Sequence, residues 1–409
     1  MAFEIEIEKL VYGGTGLGRD AQGKAVFVPY VLPGEKVLVQ PMQEKKGHIQ
    51  ADLLHVINPS SLRVEPFCKH FGECGGCAYQ HMAYSDQLTT KQDIILEMLE
   101  RSLGKIDFTI KPILPSPKER YYRNHVQFHL TEDGHSGFLR GNTHEMIVIE
   151  ECYLPEEDLL ALRDALVLED ASGLEWVDLR SGDADPMVYF HGEEAPELGV
   201  DFPINLLFEN QGIPQILSGD EAVIKTIKGR PFRVTADAFF QVNDGQAAQM
   251  VDVVLDALRP AEGKTLLDVY CGVGLFTAFA APHCKEIIAI ETSPLACEDF
   301  AVNLDEFDNV SLYEGTAEQV LPALKVKADA VIVDPPRAGL APQALDALLS
   351  LAAPLLVYVS CDLATLARDL KRLTQGGYTI QSVQPLDMFP HTQHVENVVL
   401  MTISVPKSK

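Results

Sequence analysis

The chain has 409 residues, with 33 Lys and Arg against 59 Asp and Glu, a formal charge of −26 at neutral pH. That balance opposes long-range attraction to polyphosphate, and the length suits about three domains rather than one. No signal-peptide pattern or long apolar run is present, so a cytoplasmic, non-membrane protein is expected, in a reducing compartment where its eight cysteines stay out of disulfides.

In chain order, residues 1–57 come first. Ile5-Glu6-Ile7-Glu8-Lys9-Leu10 alternates with period two, Gly13, Gly14 and Gly16 follow, and then come Ala25 to Val28 and Lys36 to Val39. Short, evenly spaced strands predict a five-stranded barrel of the OB type, a class that often binds nucleic acid. Lys9, Arg19, Lys45 and Lys46 are its candidate phosphate contacts. Next, Cys68, Cys74 and Cys77 stand in a C-x5-C-x2-C spacing with Cys152 as a distant fourth. Clustered thiols in a reducing compartment suggest a metal; zinc and a four-iron cluster both accept four thiolates, and spacing alone slightly favours zinc. Tyr84 to Leu103, with Leu88, Ile94, Ile95, Met98 and Leu99, predicts a helix.

The run Lys111 to Arg123 is basic and carries Tyr121 and Tyr122, a combination of phosphate charge with rings able to stack on unpaired bases. His125 to Leu130 alternates as a strand. The charge is uneven: residues 1–130 hold 15 basic and 15 acidic side chains, whereas 131–220 hold 3 and 21, so the acidic stretch is expected to face away from any nucleic acid.

The C-terminal half alternates strands with helices, as in a doubly wound, mostly parallel sheet. Thr265 to Phe276 reads as strand, glycine turn and helix, with Gly272 and Gly274 permitting close approach of a ligand. The following strand ends at Glu291, 23 residues after Asp268, where an acid can accept from ribose hydroxyls. Two further apolar runs end at Asp334-Pro335-Pro336-Arg337 and at Ser360-Cys361-Asp362. A carboxylate and a thiol at strand ends would face one cleft, as a nucleophile and its orienting acid do. Read singly, Cys361 is more often a small core residue and Glu396 a solvated acid. Cys271, Cys284 and Cys297 lack a partner motif and are expected in the core, and the tail Lys407–Lys409 is expected to lack order.

Phe240-Gln241-Val242-Asn243, Asp268 to Gly274, Asp334-Pro335-Pro336-Arg337, Ser360-Cys361-Asp362 and His394-Val395-Glu396-Asn397 together resemble the motif set of the RNA (uracil-5-)methyltransferase family. The Asp-Pro-Pro run is similar to the (Asn/Asp)-Pro-Pro-aromatic signature of S-adenosylmethionine-dependent nucleobase methyltransferases, with Arg337 in the aromatic position. The whole chain is most similar to the branch that carries a TRAM domain and an iron–sulfur cluster and acts on bacterial 23S ribosomal RNA. That resemblance implies an α/β fold: a Rossmann-like class I methyltransferase domain (80–110 and 236–409), an N-terminal OB-type TRAM barrel that binds RNA (1–57), and a central α+β iron–sulfur domain (58–79 and 111–235). It implies S-adenosylmethionine held by Gln241, Tyr270, Gly272, Gly274, Glu291 and Asp334, with Cys361 as nucleophile and Glu396 as base. It also implies a structural [4Fe-4S] cluster on Cys68, Cys74, Cys77 and Cys152, reversing the preference for zinc. Family members often have Asn where this chain has Leu275, so a side-chain contact to the donor is not implied there.

Carbon 5 of uracil is a poor nucleophile until a thiolate adds at carbon 6, which explains the need for a cysteine, a carboxylate base and a donor on one face. A carboxylate beside Cys361 would hold its proton on, so a cation must compensate, and Arg337 is the nearest in sequence. His391 and His394 are expected to be structural or to touch phosphate. The partner expected is RNA, ribosomal in preference to transfer RNA, with the target nucleotide flipped into the cleft, and the protein is expected to be a monomer. The alternatives are the same chemistry on the T-loop of transfer RNA, an amino-methyltransferase in which Cys361 is inert, and a non-catalytic RNA-binding or iron-sensing protein.

Overall fold

The computed structural model describes residues 1–141, 143–166, 168, 170–196 and 202–403; the tail Lys407–Lys409 lies outside them. The chain forms two compact units, one of Met1–Met98, Gly137–Tyr153 and Phe389–His394, the other of Leu99–Ser136, Leu154–Met388 and Val395–Lys409.

In the first unit, Phe3–Val11, Thr15–Arg19, Ala25–Pro29, Lys36–Glu44 and His48–Asn58 close into the expected five-stranded barrel. Alternation decides its inside: Ile5, Ile7, Val26, Val28, Val37, Val39 and Ile49 point inward and pack with Val31 and Ala51. Gly18 pairs with Ile7 beside a bulge, and a Cβ there would stand 2.5 Å from the carbonyl oxygen of Glu6, so the close approach requires glycine. Glu35 is fully buried under the barrel, taking N–H groups from Leu32 (2.8 Å) and Ser60 (3.1 Å) and the guanidinium of Arg63 (2.5 and 2.7 Å). Burial pushes its carboxyl up, but Arg63 and the two N–H groups outweigh this and hold it below the ordinary carboxylate value.

The second unit holds two sheets and a separate hairpin. Ile213–Ser218, Asn205–Asn210, Met187–Gly192, Leu174–Arg180 and His125–Leu130 follow one another in the first sheet, and Ala222–Ile227 pairs with Arg230–Thr235 in the hairpin. The larger sheet has eight strands in the order Val310–Glu314, Glu286–Glu291, Thr265–Val269, Ala330–Val333, Leu355–Ser360, Glu396–Ile403, Tyr378–Leu386 and Thr109–Ile110. Its first five strands run parallel, and Glu396–Ile403 runs antiparallel between its neighbours. Three of the parallel strands, Thr265–Val269, Ala330–Val333 and Leu355–Ser360, are mostly apolar and buried along nearly their whole length, as in a sheet covered on both faces. The helix Tyr84–Leu103 forms where its periodicity placed it.

Candidate active site

The chemistry-bearing residues lie along one edge of the eight-stranded sheet because its strands end in register. Val269 pairs with both Ile290 and Val333, and Val333 with Tyr358, so Tyr270, Glu291, Asp334 and Cys361 come at neighbouring strand ends. The antiparallel strand starts at the same edge: Asn397 lies opposite Ser360, which brings Glu396 beside Cys361.

From Val269 the chain turns through Tyr270 (φ 65°) and Gly272 (φ 55°) to Gly274 (φ 94°), which opens the helix Leu275–Ala280. Gly274 is required by its φ of 94°, and a Cβ there would stand 2.4 Å from Leu304 Cδ2, whereas at Gly272 a Cβ would meet nothing within 4 Å. The turn therefore faces open space at Gly272, the room a close-lying ligand needs. Glu291 is fixed by three N–H groups, from Gly272 (2.9 Å), Thr292 (2.7 Å) and Ser293 (2.8 Å). Beneath the turn, the buried carboxylate of Asp268 accepts from the Thr277 hydroxyl at 2.5 Å while its Oδ1 has no partner. Burial drives this carboxyl up to about 6, with Glu291 adding to the rise and Thr277 opposing it. Gln241 is buried, and its carbonyl accepts from Asn124 Nδ2 at 2.9 Å. Asn243, from the same motif, is a brace: it caps the helix Asp244–Leu258 and donates to Ser116 Oγ (3.0 Å) and the Met388 carbonyl (3.2 Å).

Cys361, Asp334, Glu396 and Arg337 form one electrostatic cluster. The Cys361 thiol is pushed up to about 12, by burial first, then by Glu396 and Asp334, with Arg337 opposing. Burial and the neighbouring Asp268 raise Asp334 to about 7. Glu396, 3% exposed and with no partner for Oε1, is raised well above the ordinary range by burial and Asp334, again against Arg337. Two carboxyls so placed do not both ionise readily. Asp362 follows Cys361 as the N-cap of the helix Leu363–Gln375, accepting from Thr365 N at 2.8 Å, so the thiol lies at a helix start that favours its anion.

Sequence reasoning missed the residue that holds this edge together. Asp369, 1% exposed, accepts from Leu340 N, the Tyr358 hydroxyl and Arg368 Nε, each at 2.8 Å, tying the turn after Pro335-Pro336 to the strand and helix around Cys361. A Cβ on Gly339 would stand 2.6 Å from its Oδ2. Nothing in a polar helix position distinguishes such a buried acid from a solvated one.

In the first unit, the loop bearing Cys68, Cys74 and Cys77 is tied to the stretch leading to Cys152: Gly75 N donates to the Leu139 carbonyl (3.0 Å), Gly141 N to that of Glu73 (3.1 Å), and Lys69 N to Glu151 Oε1 (2.8 Å). Burial raises the Cys68 and Cys74 thiols; backbone N–H groups of His70 and Phe71 oppose this at Cys68, and Gly76 N, 3.4 Å from Cys74 Sγ, opposes it there. The charges that Cys77 feels, after its burial, are those of Cys152, Cys74 and Cys68. Among the described residues no three such side chains stand close enough to hold a metal ion.

The candidate nucleic-acid contacts divide. Lys9 pairs with Glu97 at 2.5 Å and Arg19 with Glu8 at 3.2 Å, whereas Lys45 and Lys46 are exposed. Tyr122 is a correction: at 2% exposed it is a core side chain, not a ring free to stack on bases, and its backbone N–H donates to the Leu154 carbonyl at 3.0 Å. His391 is likewise structural, buried with Nδ1 3.0 Å from Gln87 Nε2. Cys271 and Cys297 are buried, and Cys284 is half-buried. Among the described residues no helix is long and apolar enough to cross a membrane.

Residues 216–404 match the tRNA (Uracil-5-)-methyltransferase family and residues 2–40 the TRAM domain. The chain is 34% identical to an uncharacterized RNA methyltransferase of Streptomyces avermitilis, over 98% of each chain, and 34% identical to one of Aquifex aeolicus, again over 98% of each. Among solved structures it is similar to the Pyrococcus abyssi tRNA (uracil-54, C5)-methyltransferase in complex with S-adenosyl-L-homocysteine, at 27% identity and a TM-score of 0.75, covering 98% of this chain and 100% of that one.

Proposed function

The chain belongs to the RNA (uracil-5-)methyltransferase family, and we propose that it uses S-adenosylmethionine to methylate carbon 5 of one uridine in ribosomal RNA through a covalent adduct with Cys361. The observation that carries this reading is the meeting of Cys361, Asp334 and Glu396 at one sheet edge beside the open turn at Gly272.

When bound, S-adenosylmethionine supplies a methyl group on a cationic sulfur. Gln241, Tyr270, Glu291 and Asp334 hold it, and Gly272 and Gly274 let the backbone come close. The Cys361 thiolate adds to carbon 6 of the flipped uracil, forming the S–C6 bond and moving the electron pair of the C5–C6 double bond toward carbon 5, which takes the methyl group as the donor's S–CH3 bond breaks and leaves its electron pair on sulfur as a neutral thioether. Glu396, acting for the carboxylate pair, removes the proton on carbon 5; the double bond re-forms, the S–C6 bond breaks and the thiolate is returned.

In this reading the barrel of residues 1–57 delivers RNA, with Lys45 and Lys46 as its free-standing cations. The central domain (58–79 and 111–235) guides the extruded strand, and the methyltransferase domain comprises 80–110 and 236–409. Cys68, Cys74, Cys77 and Cys152 ligate a [4Fe-4S] cluster with a structural role, for which the N–H groups aimed at Cys68 and Cys74 are the supporting feature. The protein acts as a cytoplasmic monomer. One observation favours transfer RNA as a second reading: the Pyrococcus abyssi enzyme that this chain resembles along its whole length acts on uracil 54 of tRNA.

The deciding experiment is nucleoside mass analysis of unmodified ribosomal and transfer RNA after incubation with labelled S-adenosylmethionine, wild type beside Cys361→Ala. Labelled 5-methyluridine in ribosomal RNA with wild type alone is the expected result. The same product in transfer RNA moves the substrate to the second reading, and label on another base, or label that survives loss of Cys361, removes the adduct mechanism.

A further inference from the structure

The strands Tyr378–Leu386 and Glu396–Ile403 pair antiparallel with Leu386 opposite Glu396. The joining stretch Phe389–His394 is part of the first unit, where hydrogen bonds hold it. His391, 4% exposed, is its anchor. Its carbonyl accepts from Ala78 N (2.9 Å) and Tyr79 N (3.0 Å), the two residues that follow Cys77. Phe67, which directly precedes Cys68, meets its ring edge to face with centroids 4.9 Å apart. The fully buried Gln87 takes the His391 N–H on Oε1 at 3.0 Å, which fixes the amide so that Nε2 donates to Nδ1 (3.0 Å) and to the Met82 carbonyl (3.2 Å). Lys91, 2% exposed, and the Thr392 hydroxyl secure the Phe389 carbonyl at 3.1 and 2.9 Å. The clamp keeps His391 at φ 66°, in the left-handed region that costs energy for any side chain and persists where the surroundings over-determine it. Glu396 follows five residues on. Its buried Oε1 has no hydrogen-bond partner among the described residues, so the backbone that carries this carboxylate must aim it.

We propose that His391 is a positioning residue for Glu396: the segments beside Cys68 and Cys77, with the Gln87 amide, lock it in the left-handed conformation, and that conformation sets where the strand Glu396–Ile403 begins and so where the carboxylate meets carbon 5. The inference deepens the proposed function and rests on its reading of Glu396 as the base. It ties the cysteine-bearing loop to one chemical step, removal of the proton from carbon 5. Addition of Cys361 and methyl transfer belong to other segments and do not depend on His391.

The test compares wild type, His391→Val, His391→Asn and Glu396→Gln in the full chain, on whichever of ribosomal or transfer RNA the wild type methylates, transcribed with hydrogen or deuterium at carbon 5 of uridine. A β-branched residue resists the left-handed conformation, whereas Asn accepts it. His391→Val is expected to slow turnover by roughly 10²-fold, the scale of a small misplacement of a catalytic group. Methyl label should still enter RNA at the wild-type rate in a single turnover, a labelled protein–RNA adduct should accumulate, and turnover should become more sensitive to deuterium than that of wild type. His391→Asn should recover most of the loss. A His391→Val protein that turns over like wild type, or that slows methyl entry as much as proton removal, overturns the inference while adduct accumulation in Glu396→Gln leaves the base assignment standing. No adduct in Glu396→Gln overturns the two together. If His391→Val does not melt cooperatively, Gln87→Met, which keeps the volume and removes the amide's hydrogen bonds, is read by the same criteria; loss of cooperative melting in both assigns the clamp to folding alone and overturns the inference.

Discussion

Glu35 in the barrel and Glu396 at the sheet edge are equally hidden from water, yet their surroundings are opposite. Both oxygens of Glu35 are occupied, by Arg63 and two backbone N–H groups, and its carboxyl sits below the ordinary range. Glu396 has an oxygen with no partner and a second acid, Asp334, as its neighbour, and its carboxyl sits far above that range. Burial is common to both and so diagnoses nothing. A buried charge with every lone pair satisfied fixes a fold; one left short of partners is tolerated where chemistry uses the deficit.

The sharpest break in that comparison comes from the deficient site. Cys361→Ala is expected to lower turnover by about 10⁴-fold or more, since without the adduct carbon 5 is not activated. Single-turnover formation of 5-methyluridine checks it, and a loss below tenfold would mean that the thiol is a bystander. Glu396→Gln is expected to reduce turnover by roughly 10²- to 10⁴-fold while allowing methyl transfer, so that a protein–RNA adduct accumulates and is seen as a shifted band on a denaturing gel. A variant that turns over slowly without any adduct would place the base elsewhere.

The satisfied site should respond in stability. Arg63→Ala leaves Glu35 buried without its counter-ion and is expected to lower unfolding free energy by about 3–5 kcal/mol, measured by chemical denaturation near pH 7. Because the folded-state value of Glu35 is depressed, its contribution is present above the ordinary value of 4.5 and is lost as pH falls through the depressed value. The gap between wild type and variant should therefore narrow in acid. A gap that is constant with pH would assign the loss to packing of the Arg63 stem.

Much of this contrast was legible beforehand, and the part that was not has a physical cause. Period-two alternation in residues 3–11 and the apolar runs ending at Asp334 and Cys361 announce barrel and parallel sheet, because a strand's faces are written in consecutive residues. The pairing of Cys361 with Glu396 needs the antiparallel register of Asn397 with Ser360, a contact between strands that local pattern does not encode. Tyr122 reads as a partner for bases from its basic neighbours, but it is buried in a segment whose backbone pairs with Leu154, a contact distant in sequence that local pattern does not encode. Asp369 is invisible for the same reason: apart from its neighbour Arg368, its partners Leu340 and Tyr358 lie on other segments.

Asp334→Asn is the mirror image of Arg63→Ala, with the smallest expected effect and the opposite sign. Its carboxyl is raised from an ordinary 3.8 to about 7 by burial and by Asp268, so the protonated form suits the folded protein, and the stability it contributes is full below the ordinary value and lost as pH rises through about 7. Wild type at pH 8 thus carries an ionisation penalty that the amide, which does not titrate, avoids. Because the burden is shared with Glu396 and Asp268, the expected gain is about 1–2 kcal/mol at pH 8, falling to nothing near pH 4. Thermal melts of the two proteins at both pH values measure it, alongside an expected loss of methyl transfer. A variant that is inactive and also less stable at pH 8 would mean that Asp334, like Glu35, is a structural acid, and the distinction between the two regions would fail at the residue on which it most depends.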